Sequence, residues 1–236
     1  MAVGIQDEIN VARHHSRRVS SVVKPMNKYD SIIFDLDGTL WDACEASAIG
    51  LNKALKRTNI SHEEITADVM RSVCGLPFDD CLNVILGKNG SVDLKSISPI
   101  FSKEEKKAVE SIGGNLFEYV NEGLEVLSNH YKLFLVSNCQ SWYLKAFWKQ
   151  HNVKKFFNGS DCYGDSRVSK TEMINIIKGQ YNLNNPIYIG DTKSYMESTL
   201  KAKIAFGYAE YGFGKINSSV LSFGNFEELT EYFIKI

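Results

Sequence analysis

Residues Ser31–Leu40 read S-I-I-F-D-L-D-G-T-L, and the rest of the chain is organised around them. Ile32, Ile33 and Phe34 form the short apolar run of a buried strand, which stops abruptly at Asp35, Asp37 and Gly38. In open α/β sheets ligands collect in the crevice beyond the carboxyl ends of the strands, so this spacing projects both carboxylates into such a crevice. Two acids this close repel one another unless a cation lies between them, and a hard divalent ion such as Mg²⁺ suits oxygen ligands. A plain Asp-Gly turn would not need two acids at the end of a buried strand.

Outward from that stretch the pattern alternates. Leu133-Phe134-Leu135-Val136 is a second apolar run, ending at Ser137-Asn138, and Ile187-Tyr188-Ile189 is a third, ending at Gly190-Asp191. Ile204-Ala205-Phe206 predicts a further strand. Between the runs lie helical patterns, through Val120, Leu124 and Leu127, and through Tyr143, Leu144, Phe147 and Trp148, which is expected to be core. Strands alternating with helices predict an α/β fold, a Rossmann-like parallel sheet wound from βαβ units. In such a sheet the polar ends of three strands fall on one edge, which brings Asp35, Asp37, Ser137, Asn138 and Asp191 to one crevice.

Residues 43–115 interrupt this alternation with helical periodicity alone. Ala48, Leu51 and Leu55 share a face, as do Ile65, Val69 and Val73. Ser61 with Glu64 and Ser102 with Glu105 have capping-box spacing, predicting two helix starts. Gly75-Leu76-Pro77 punctuates the block. The expected organisation is a core of residues 29–42 and 116–236, a helical cap inserted at 43–115 over the mouth of the crevice, and an N-terminal extension, residues 1–28. That extension is polar and locally basic, without the apolar segment of a secretory signal, and is expected to be a mobile tail, with Met26 a candidate start.

Composition narrows the partners. The chain has 236 residues, 44% hydrophobic, with a formal net charge of −1, which supports a sizeable core and no global basic field for nucleic acid or an anionic membrane. Five cysteines without a C-x-x-C pair suit neither a zinc site nor a disulfide framework, so a reducing cytoplasm is expected. No apolar run approaches the roughly 20 residues that span a bilayer.

The stretch D-L-D-G-T-L resembles the first motif of the haloacid dehalogenase-like hydrolase superfamily. Ser137, Lys170 in Ser169-Lys170-Thr171-Glu172, and Asp191 in I-Y-I-G-D-T resemble the second, third and fourth. The G-L-P loop at 75–77 and the segment Tyr208–Gly214 further resemble the phosphoglycolate phosphatase-like branch, which carries a helical cap. The resemblance implies that Asp35 is a nucleophile taking up a phosphoryl group and Asp37 the acid and base. It implies phosphate contacts from Gly38, Thr39, Ser137, Asn138 and Lys170, and Mg²⁺ held by Asp35, the backbone carbonyl of Asp37 and Asp191. The implied activity is Mg²⁺-dependent hydrolysis of a small phosphorylated metabolite through an aspartyl-phosphate, by a monomer or homodimer without nucleic-acid or membrane partners. Nucleotidase, pyrophosphatase and phosphomutase activities are alternatives within the superfamily. A dehalogenase would not keep the acid at Asp37 or need the metal.

Two departures matter. Thr171 stands where many relatives have proline, which alters the helix start and leaves the lysine charge untouched. Tyr195 stands where a second acid usually follows the fourth motif, and Glu197, two residues on, would face away. Losing that carboxylate predicts weaker Mg²⁺ affinity, a shifted metal preference, low activity, or a degenerate binding protein.

Overall fold

The computed structural model describes residues 28–87, 93–217 and 219–236, so the expected N-terminal extension and its candidate start lie outside the described residues, apart from Lys28. Strand β1 (Ser31–Phe34) leads through β2 (Trp41–Asp42) into four helices, α1 (Cys44–Thr58), α2 (Ala67–Val73), α3 (Phe78–Leu86) and α4 (Leu94–Ile112). Strand β3 (Asn115–Leu116) then pairs antiparallel with β2, Trp41 opposite Leu116. Entry to and exit from the helical layer are thereby held side by side. After α5 (Val120–Ser128) come β4 (Lys132–Ser137), α6 (Ser141–His151), β5 (Gly159–Cys162), the short α7 (Tyr163–Ser166) and α8 (Lys170–Tyr181). The chain closes with β6 (Pro186–Gly190), α9 (Lys193–Lys201), β7 (Ala205–Ala209), β8 (Leu221–Phe223) and α10 (Phe226–Lys235).

Six strands form a parallel sheet in the order β5-β4-β1-β6-β7-β8, with β1 central between β4 and β6. The two-residue alternation of a strand sends Ile32 and Phe34 to one face, packed with Leu124, Phe147, Phe226 and Phe233, and Ile33 to the other, packed with Phe134, Met173, Ile174 and Tyr188. Helices therefore cover both faces, as a fully parallel sheet requires.

The helical layer has its own apolar cluster, including Leu51, Leu55, Met70, Leu82 and Phe101. Helix α1 lies directly against α4, and Gly50 permits the approach: a Cβ there would overlap the backbone of Glu104 and Glu105. Neither expected capping box in this layer forms. Ser61 and Glu64 lie in the connection before α2, whose N-cap is Thr66. Ser102 and Glu105 lie inside α4, which starts eight residues or so earlier at the Asp93 N-cap and runs through Pro99. In α4 both side chains have other partners, since Ser102 Oγ donates to Gln140 Oε1 at 3.0 Å and Glu105 is buried beneath α1. The box at Ser169–Glu172 is complete, the serine side chain accepting from Glu172 N–H and the glutamate accepting from Ser169 N–H. Among the described residues no helix is long and apolar enough to cross a membrane.

Candidate active site

The carboxyl ends of β1, β4 and β6 meet beneath the helical layer, and the first to be fixed there is Asp35. It is fully buried just past β1, its backbone N–H donating to Ile189 O at 2.9 Å. Its Oδ1 accepts from Lys170 Nζ at 2.6 Å and lies 3.1 Å from Tyr188 Oη. Lys170 arrives as the first residue of α8, placed by the Ser169 capping box, and also donates to Val136 O at 3.0 Å and to Tyr188 Oη at 2.9 Å. A buried ammonium with three oxygen partners is a fixed charge. Burial pushes the Asp35 carboxyl up, and Lys170 opposes it.

Asp191, at the end of β6, is equally buried. Its Oδ2 accepts from the backbone N–H groups of Phe213 (2.9 Å) and Gly214 (3.2 Å), so the segment after β7 wraps around the carboxylate. Gly38 (φ +76°) and Gly212 must both be glycine for this packing, because a Cβ on either would overlap Asp191. Burial, with the Asp35 charge second, raises Asp191 to about 7.

One oxygen of each carboxylate, Asp35 Oδ2 and Asp191 Oδ1, is buried without a hydrogen-bond partner. Two desolvated anionic oxygens of this kind fit a hard divalent cation, which would relieve what burial costs them. Among the described residues no three side chains of His, Cys, Asp or Glu gather as a metal site, so an ion here would draw on these two carboxylates, main-chain oxygen and water.

Asp37 is different. It is half-buried, lines the chamber between the core and the helices, and its Oδ1 accepts from Tyr143 Oη at 2.8 Å. Burial, followed by the neighbouring Asp35 charge, pushes it up to about 8. Two carboxyl groups two residues apart are thereby separated in character: one is paired with an ammonium, and the other has only a phenol hydroxyl for a partner and is pushed toward its protonated form.

The remaining expected phosphate contacts divide. Ser137 is buried at the end of β4, with its Oγ accepting from Cys139 N–H at 3.1 Å. Asn138 lines the chamber and donates through Nδ2 to Gly75 O at 2.6 Å, tying the core to the G-L-P loop. The backbone N–H groups of Gly38 and Thr39 are taken up by Trp41 O and Leu36 O within the turn, while Thr39 Oγ1 is buried and unpartnered.

Tyr195 is buried on α9, its ring centred 4.1 Å from Lys170 Nζ. Gly75 (φ +95°) comes so near that a Cβ there would lie 2.7 Å from Tyr195 Oη. Glu197 is exposed and faces Lys193 at 3.9 Å, away from the carboxylates. Three site residues escaped the sequence reading. Tyr188 is a phenol inside an otherwise aliphatic strand, whose hydroxyl needs a buried partner; that was the available signal. Tyr143 packs as core yet delivers its hydroxyl to Asp37, and Glu105 was assigned to a helix cap.

Comparison with known proteins agrees with this geometry. The profile of the haloacid dehalogenase-like hydrolases matches residues 32–209, and the chain belongs to that family of hydrolases. A phosphoglycolate phosphatase of Aquifex aeolicus (strain VF5) is 27% identical over 199 residues, covering 81% of this chain and 90% of the relative. The fold is shared with a predicted phosphoglycolate phosphatase from Haemophilus somnus 129pt (TM-score 0.74, 18% identity, 88% of this chain and 99% of the other). It is shared also with a haloacid dehalogenase-like family hydrolase from Streptococcus pneumoniae (TM-score 0.70, 23% identity, 87% and 99%).

Proposed function

We propose that this hydrolase is a Mg²⁺-dependent phosphatase that cleaves a small phosphate monoester through an aspartyl-phosphate on Asp35. The observation that carries this is the contrast between Asp35, held by Lys170 at 2.6 Å, and Asp37 two residues on, which has no cation and accepts only from Tyr143 Oη at 2.8 Å. The family match and the phosphoglycolate phosphatase relative support the same chemistry.

Asp35 attacks phosphorus, and as that oxygen–phosphorus bond forms the ester oxygen–phosphorus bond breaks. Asp37, carrying its proton, gives it to the departing alkoxide, so the alcohol leaves neutral. The Asp37 carboxylate then takes a proton from water as the water oxygen attacks phosphorus; the bond to Asp35 breaks and phosphate departs. Tyr143 holds Asp37 in place for both transfers. Lys170 and the Ser137 hydroxyl meet the charge on the phosphoryl oxygens. Asp35 and Asp191 would hold Mg²⁺, which would supply positive charge against the phosphoryl group. The Asn138–Gly75 contact ties the helical layer to the core above the site, where the layer would limit the access of bulk water. Five free cysteines suit a reducing, cytoplasmic setting.

Hydrolysis of p-nitrophenyl phosphate with and without Mg²⁺ tests this. Wild type turns over only with the metal, and Asp35→Asn lowers kcat by about 10⁴-fold or more. A second possibility, a weakly active binding protein, is favoured by Tyr195 standing over Lys170 where a carboxylate is usual. Equal inertness of wild type and Asp35→Asn across many phosphate esters would select it.

A further inference from the structure

A chamber opens above Asp37, between the strand ends and the helical layer. Under a phosphatase mechanism it receives the leaving group, because Asp37 and Ser137 line its floor. Its chemistry is one-sided. Glu105 enters from α4, 5% exposed, placed there by the close approach of α1 at Gly50. Ser47, Cys44 and Cys74 add neutral polar groups, with Cys44 Sγ and Cys74 Sγ 3.5 Å apart. Gln140 also lines it, and its Nε2 is buried without an acceptor. Among the described residues that line the chamber, none is lysine, arginine or histidine. The two arginines of the layer that form ion pairs are engaged elsewhere: Arg71 pairs with Asp42 at 2.9 Å and Asp68 at 2.7 Å, and Arg57 with Glu104 at 2.7 Å.

Resting on the phosphatase assignment, we infer that Glu105 sets leaving-group specificity: the chamber takes the phosphate ester of a neutral or cationic alcohol, a polyol or an amino alcohol, and disfavours one bearing a carboxylate. Glu105 accepts from a hydroxyl or ammonium, and Gln140 Nε2 donates to a hydroxyl oxygen. A carboxylate in the same place meets a buried acid with no cation to offset it. Burial already raises Glu105 to about 7, with the Ser47 hydroxyl holding it down, which shows how poorly the chamber accommodates one negative charge. A second would be worse. This distinguishes the chain from its phosphoglycolate phosphatase relative, whose named substrate carries a carboxylate on the leaving group.

Three two-carbon esters of nearly equal size test it: 2-aminoethyl phosphate, 2-hydroxyethyl phosphate and 2-phosphoglycolate, assayed with Mg²⁺ alongside p-nitrophenyl phosphate. The expected kcat/KM for the first two exceeds that for 2-phosphoglycolate by about tenfold or more. Glu105→Gln, checked for native circular dichroism, narrows that ratio at least about threefold by rescuing the carboxylate ester. If 2-phosphoglycolate is cleaved as well as the others while the aryl phosphate is turned over, the inference is overturned and the phosphatase assignment stands. If no ester is cleaved, thermal midpoints decide. Greater stabilisation by 2-aminoethyl phosphate than by 2-phosphoglycolate upholds the chamber's preference without the reaction, and equal or no stabilisation overturns both.

Discussion

The floor and the roof of the crevice handle buried charge in opposite ways. On the floor, Asp35 is matched at 2.6 Å by Lys170, which is itself held by Val136 O and Tyr188 Oη, and Asp191 by two backbone N–H groups. Each of these positions is set by a strand end or by the first residue of a helix. In the roof, Glu105 is buried among thiols, hydroxyls and apolar side chains without a cation. A site that must receive a dianionic phosphoryl group needs its charges fixed in advance, whereas one that only sorts alcohols can leave a polar group for the ligand to satisfy. On the proposed reading the floor supplies chemistry common to every phosphate ester, and the roof supplies the choice among them.

Making the floor resemble the roof has the largest effect. Lys170→Met leaves Asp35 buried without its ammonium, and kcat for p-nitrophenyl phosphate falls by about 10²–10³-fold at saturating Mg²⁺. Retained turnover would show that the floor's charge pairing is structural only. Removing the roof's charge acts on stability. Glu105 has a folded-state value of about 7 against an ordinary 4.5, so the folded protein holds this proton more tightly than the unfolded chain does. The cost of ionising it is absent below about pH 4.5, grows between the two values and is full above about 7. Glu105→Gln accordingly stabilises the protein by about 1–3 kcal/mol at pH 8 and by nothing near pH 4.5, measured by urea unfolding at both. A pH-independent difference would remove the unpaired acid from the account. The smallest change is expected where floor meets roof, at Tyr195. Tyr195→Asp restores the usual acid beside Asp191 and lowers the Mg²⁺ concentration for half-maximal activity by about two- to fivefold. An unchanged requirement would mean that the tyrosine does not weaken the metal site.

The sequence disclosed the floor far better than the roof, for physical reasons. A central parallel strand is buried on both faces and reads as a continuous apolar run, so β1, β4 and β6 and their polar ends at Asp35, Ser137 and Asp191 stand out. The edge strands β5 and β8 do not. Gly159-Ser160-Asp161-Cys162 has no apolar run, and its pairing with β4 supplies what its composition lacks. The roof misled because Ser102 and Glu105 carry capping-box spacing in the middle of a helix, where tertiary packing overrides a local pattern. Tyr188 and Tyr143 were legible as core and not as site, since one side chain does both tasks: a buried ring and a hydroxyl aimed at a carboxylate. At Ser169-Lys170-Thr171-Glu172, by contrast, a capping box is satisfied within the first turn of α8 and sets Lys170 at the helix start.

The covalent step on Asp35 is the central claim about the floor. Enzyme quenched in acid during turnover of p-nitrophenyl phosphate with Mg²⁺, then reduced with borohydride and digested, reports any acyl phosphate as homoserine in the peptide mass spectrum. Homoserine at position 35, absent without substrate, is the predicted result. Homoserine at another acid, or none at any position while phosphate is still being released, would contradict it.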